Sequence, residues 1–282
     1  MRRRDFLGAA GSGLGVVALA LAPAGCSVTP SFDQTPDKPQ TFGYKVSWFA
    51  VKASDPALVL DALGLEKGTP ANWASGLAAA LPLPASQGSW VFVSPPVGNW
   101  VLIVSRPSVL PYPVAPTERF HDIGRKFDVL FSRLMKRFDD VQFFGSYRVV
   151  SFAAWARAQN GEPKRVFAYA DSEVLANVGE QTLEEAKLKF ANLRGLSPSA
   201  ASDRIGEIAE QQEAEEDTLV AKGLSRREAS ERIGQNGLRT FPDEKDVVEL
   251  AALWSIDPRQ LSNQDHPLEL GLATRLPVSL TQ

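Results

Sequence analysis

Two histidines, a single cysteine and a scatter of carboxylates are the side chains of this chain that could act on a substrate. His121 sits in Phe120-His121-Asp122, at the predicted start of a long helix. As a general base it would need a nucleophile and an orienting acid within reach, and Asp122 is only its sequence neighbour. The ordinary reading of His121 is a surface or capping residue, and His266 lies in a proline-bearing tail. No Gly-x-Ser-x-Gly elbow occurs. A zinc site draws on histidine and cysteine ligands, yet there is neither a His-Glu-x-x-His pattern nor a cysteine pair. Calcium needs clustered oxygens on a glycine-bearing loop. The acidic run Glu207 to Asp217, with six acids and no base, lacks that spacing and reads as a solvated helix face. Glycoside chemistry wants two acids at a set separation. Asp139, Asp140, Glu184 and Glu185 are candidates, but none is marked out by its setting, and Asp139-Asp140 suits a turn between helix and strand. No catalytic residue, metal ligand or cofactor is therefore expected.

Trp73, Trp90 and Trp100 are candidates for a binding face, because clustered aromatics serve as recognition anchors. The competing reading is packing, in a core or a half-buried sheet. In Trp90-Val91-Phe92-Val93 both sides of the strand are apolar, so that sheet must be covered on both faces.

The N-terminus has a different character. Arg2, Arg3 and Arg4 precede an uncharged, glycine-punctuated apolar run, and no further charge occurs between Asp5 and Asp33. A basic start, an apolar middle and small residues at Ala24-Gly25 form the layout of an export signal. Arg3-Arg4-Asp5-Phe6-Leu7 resembles the core of twin-arginine signals, so Arg3, Arg4, Phe6 and Leu7 are the expected signal residues. Arg2 and Gly8 depart from that pattern. Cys26, directly after Ala24-Gly25, resembles the acylated cysteine of bacterial lipoproteins, although Pro23 stands where that family normally carries leucine. Three fates are open for this end: lipid attachment at Cys26, simple cleavage nearby, or an uncleaved anchor. Resemblance to twin-arginine substrates implies export in the folded state. Ser27 to Gln40, with Pro30, Pro36 and Pro39, reads as a stand-off linker.

The chain carries a net charge of −3, and loss of the leader leaves about −5. Such a balance argues against nucleic acid as a partner, which requires concentrated positive charge.

The body is predicted to be α+β, mainly an antiparallel sheet with flanking helices and a helical C-terminal part. Tyr44–Ala53 alternates as a strand. Ser54-Asp55-Pro56 offers a helix cap, and Ala71–Leu81 a second short helix. The echo Gly88-Ser89-Trp90 and Gly98-Asn99-Trp100 gives two adjacent strands. Apolar residues from Phe120 to Phe138 at three- and four-residue steps make the strongest amphipathic helix. Val141–Arg157 reads as one strand with a bend at Gly145, and Asn160-Gly161 as a hairpin turn. Thr182 to Glu185 is a capping box for a helix reaching about Leu193. Pro242-Asp243 opens another through Trp254, and the tail from Asp257 is irregular. The expected organisation is signal (1–25), lipid-attached linker (26–41), α+β domain (42–194), acidic helical insertion (195–240) and C-terminal helix and tail (241–282).

The resulting expectation is a membrane-tethered protein of the cell envelope, on the periplasmic face in a host with two membranes. Its role would be binding or accessory, of an immunity type among others, with the membrane and an envelope protein as partners. The rival is an exported hydrolase of an envelope polymer or glycan that uses carboxylates.

Overall fold

Strands apolar on both sides must be buried on both sides, and the architecture follows from that demand. The computed structural model describes residues 30–65, 67–82, 88–117, 120–263 and 266–281. The expectations placed on Arg3, Arg4, Phe6, Leu7 and Cys26 lie outside these residues.

The strands are β1 (Ser47–Lys52), β2 (Thr69–Ala71), β3 (Trp90–Val93), β4 (Trp100–Ser105), β5 (Asp140–Tyr147), β6 (Phe152–Gln159), β7 (Glu162–Ala170), β8 (Glu173–Gly179) and β9 (Gly271–Arg275). They form one sheet in the order β2-β9-β3-β4-β1-β5-β6-β7-β8, and all its ladders are antiparallel. With helices on both faces, the protein is α+β.

Alternation sorts the side chains. Trp48, Phe92, Leu102, Phe144, Trp155 and Phe167 enter one core, covered by α2 (Trp73–Ala80) and α7 (Glu244–Trp254). Phe49, Val91, Ile103, Phe143 and Ala154 enter the other, covered by α1 (Pro56–Leu63) and α3 (His121–Met135). Full burial of each large apolar side chain stabilises by roughly 1.5–3 kcal/mol. Close fit is visible at Gly76 on α2, where a Cβ atom would sit 2.2 Å from the Phe92 ring.

Local signals act where expected. Asp55 caps α1 and Pro56 occupies its first turn. Asn160 and Gly161, with φ of 53° and 79°, turn β6 into β7. Asp243 caps α7 through a full capping box.

Four expectations are corrected. Val141–Arg157 is not one strand. The chain reverses at a 3-10 turn over Arg148–Val150, and Gly145 lies inside β5, paired with Ser47 and Ala154. The Thr182 capping box is present, but its helix, α4 (Leu183–Lys187), is short. Lys189 adopts a left-handed φ of 62°, and Phe190 leaves the helix to pack on Trp155. The tail is not wholly irregular, since β9 lies between β2 and β3. Finally, the linker is docked from residue 30 onward. Phe32 packs edge-on against Trp90 at 5.2 Å, and the Asp37 carboxylate accepts the Trp73 and Ala74 N–H groups at the start of α2.

The acidic segment forms a helical hairpin of α5 (Pro198–Ala221) and α6 (Arg226–Asn236). Ala201, Ile205 and Ile208 tie the start of α5 to the first core. Beyond them the hairpin is mostly exposed, and Ala229 is its buried residue on α6. Both sheet edges are modified. β2 is three residues long and carries Pro70. On β8, Leu175 O accepts the Ala115 N–H and Val174 N–H is bound by Ser202 Oγ.

Candidate functional site

A cavity of about 290 Å³ opens where three connections meet at one end of the sheet, on the α1/α3 side. The first connection is the proline-rich loop after β4. Arg106, almost fully buried, holds its start by donating to Ser108 Oγ at 3.0 Å and to Gly88 O at 2.8 Å. Burial pulls this guanidinium below its usual pKa. Further along, Val114 O comes so close to α3 that a Cβ on Gly124 would lie 2.5 Å from it. Between these anchors the loop presents Tyr112, whose ring centre is 4.7 Å from that of Phe152.

The second connection is the turn between β5 and β6, where Ser151 has a φ of 47°. The third joins β7 to β8 through Asp171 and Ser172, with φ of 47° and 69°. The Asp171 N–H donates to Val150 O at 3.2 Å, so the two turns hold each other. The resulting walls include the rings of Tyr112, Phe120, Tyr147 and Phe152, and the carboxylates of Asp171 and Glu173. Both acids are exposed and stand at the mouth, whereas Phe152 is buried. No lysine or arginine lines the cavity among the described residues.

Of the carboxylates considered from sequence, Asp139 is exposed and Glu184 half-buried, while Asp140 and Glu185 are committed elsewhere. Asp140 is buried at the start of β5, where Arg157 Nη2 approaches it to 2.7 Å and Gln142 and Gln159 donate to it. It is therefore more than a turn residue. Glu185 is enclosed on α4 and accepts from Arg165 Nε and Trp155 Nε1, both at 2.9 Å. Each is held in place by a guanidinium. Two carboxyls among the described residues are displaced upward in pKa. Partial enclosure raises Asp128, on α3, and burial raises Asp246, on α7, despite its bond with Arg239. They lie on helices covering opposite faces, so they do not converge.

His121 is exposed at the start of α3, 3.9 Å from Asp122. No group of three or more His, Cys, Asp or Glu among the described residues is placed to hold a metal ion. No described helix is long and apolar enough to cross a membrane.

No protein-family model, curated protein or solved structure matches the chain.

The expected aromatic binding face does not form. Trp73 is 1% and Trp90 7% exposed, because α2 and residues 30–33 close over that part of the sheet. Trp73 packs edge-on to Phe92 at 5.4 Å, and Trp100 is half-buried against the same core. The packing reading holds for these three. Tyr112, Tyr147, Asp171 and Glu173 were not anticipated from sequence. The signal that could have pointed to them is the lone tyrosine in the loop of four prolines between Arg106 and Pro116. A wider hollow of about 700 Å³ near Tyr44, Arg148, Phe241 and Lys245 is open and carries both signs of charge, so it selects no ligand class.

Proposed function

We propose that this protein is exported, held at the bacterial cell envelope through Cys26, and binds a small ligand there in an accessory role. The location rests on the leader: the Arg3-Arg4-Asp5-Phe6-Leu7 segment, the uncharged run after it and the small residues before Cys26. The binding role rests on one observation, the aromatic-walled cavity between the Tyr112 loop and the β7–β8 turn. Its volume is near the lower end of small-molecule sites, roughly 300–1,000 Å³, and suits a compact guest. Its two acids, Asp171 in the β7–β8 turn and Glu173 at the first position of β8, stand in solvent, a setting for electrostatic attraction rather than for an acid–base pair.

Native mass spectrometry of the full chain extracted from envelope membranes tests the reading. The expected result is a lipid-modified N-terminus that is lost in Cys26→Ser, together with a bound small mass that is lost when Ala170→Trp fills the cavity. Recovery of the chain from the cytosol with its leader intact overturns the location. An unliganded spectrum for both forms overturns the binding role.

A further inference from the structure

We infer that the cavity selects a compact organic cation, of the quaternary or methylated ammonium class, an assignment that rests on the binding role proposed above. Three features of the walls converge on it. Rings from Tyr112, Phe120, Tyr147 and Phe152 supply π faces and apolar surface. Aromatic faces attract cations, and most usefully those weakly hydrated enough to leave water. Asp171 and Glu173 add negative charge at the entrance, and no lining cation among the described residues neutralises it.

The position of that charge is fixed by the backbone. Asp171 is locked to the β5–β6 turn through Val150 O, and residues 151, 171 and 172 all hold left-handed conformations there. An anionic guest would meet two carboxylates. A sugar could hydrogen-bond to Ser108, the tyrosine hydroxyls and the carboxylates, but being neutral it would leave the charge at the entrance uncompensated. A hard metal ion needs six or more oxygen ligands, which two carboxylates beside a wall of rings do not offer. A cation with an apolar shell satisfies both the walls and the mouth.

Calorimetric titration of the full chain in maltoside detergent separates the possibilities, using choline and its neutral carbon isostere 3,3-dimethylbutan-1-ol. Choline is expected to bind at least about tenfold tighter than the isostere. The double variant Asp171→Asn/Glu173→Gln, altered only at exposed positions, is expected to lose about tenfold for choline and to leave the isostere unchanged. Tyr112→Leu is expected to weaken both. Equal affinity for the two ligands, or binding of the isostere alone, overturns the cationic assignment while the cavity stands as a binding site. Binding of neither ligand overturns the cationic assignment, and the native mass spectrum then decides the binding role by itself. An unchanged choline affinity in the carboxamide variant also overturns the assignment.

Discussion

The carboxylate of Glu185 lies 2.9 Å from Arg165 Nε, with the two side chains 1% and 4% exposed. The same carboxylate accepts Trp155 Nε1–H and the Thr182 N–H, and Arg165 also reaches Asn177 Oδ1. One ion pair thus pins α4 to β6, β7 and β8. A buried pair adds little over an apolar substitute, but removing one partner strands the other charge. Glu185→Ala is expected to destabilise the fold by about 3–5 kcal/mol in urea titration. Glu185→Leu/Arg165→Met should recover only part of that loss, because Trp155 Nε1–H, the Thr182 N–H and Asn177 Oδ1 lose these partners.

Gly76 faces Phe92 with no room for a methyl group. Gly76→Ala must push α2 off β3, at a cost of about 1–3 kcal/mol. Thermal melting should report it, and Phe92→Leu placed in the same chain should relieve part of the strain.

Asp37 acts across the sequence on α2, adding to the cap that Asn72 supplies within it. Asp37→Ala should cost about 0.5–2 kcal/mol. A non-specific protease should then cut within residues 31–40 at concentrations that leave the parent chain intact there.

Asp257 and Arg259 form a clasp, with Nε and Nη2 both 2.9 Å from the carboxylate. Burial pushes the Asp257 carboxyl up, but the side-chain and backbone hydrogen bonds from Arg259 outweigh it and hold the pKa below the ordinary value. The unfolded chain therefore takes up this proton more readily. The contribution is complete above the ordinary carboxylate pKa of about 3.9 and is lost as pH falls through the lower folded value. Asp257→Asn should cost about 1 kcal/mol at neutral pH. Its deficit against the parent chain should shrink with acidification through that window, as followed by chemical denaturation at a series of pH values.

The α5–α6 hairpin beyond Ile208 packs little apolar surface and is laced by surface pairs such as Arg226 with Asp217 at 2.9 Å. Elements of that kind open locally at low cost. Amides of α6 should exchange with deuterium well before those of α3, and added salt should widen the difference as it screens the pairs.

Much of the architecture could be read from local chemistry. Asn160-Gly161 dictates its turn because both positions need positive φ, and the steps from Phe120 to Phe138 dictate α3. The errors came where distant partners decide. Lys189 leaves the helical path because Phe190 is buried on Trp155, and nothing in residues 183–193 announces that ring. β9, Gly-Leu-Ala-Thr-Arg, has too little apolar alternation to declare itself and exists through its neighbours β2 and β3. The candidate site was illegible for the same reason. Tyr112, Tyr147 and Asp171 come from three separate connections, and no spacing rule links them until the sheet closes.

Stopping the sheet matters as much as building it. At one margin Pro70 brings no amide hydrogen to a strand of three residues, and at the other Ala115 and Ser202 already occupy main-chain groups of β8. A second copy arriving edge to edge finds few open hydrogen-bonding positions on which to stack. The molecule can thus be concentrated at a surface without seeding fibres by strand addition.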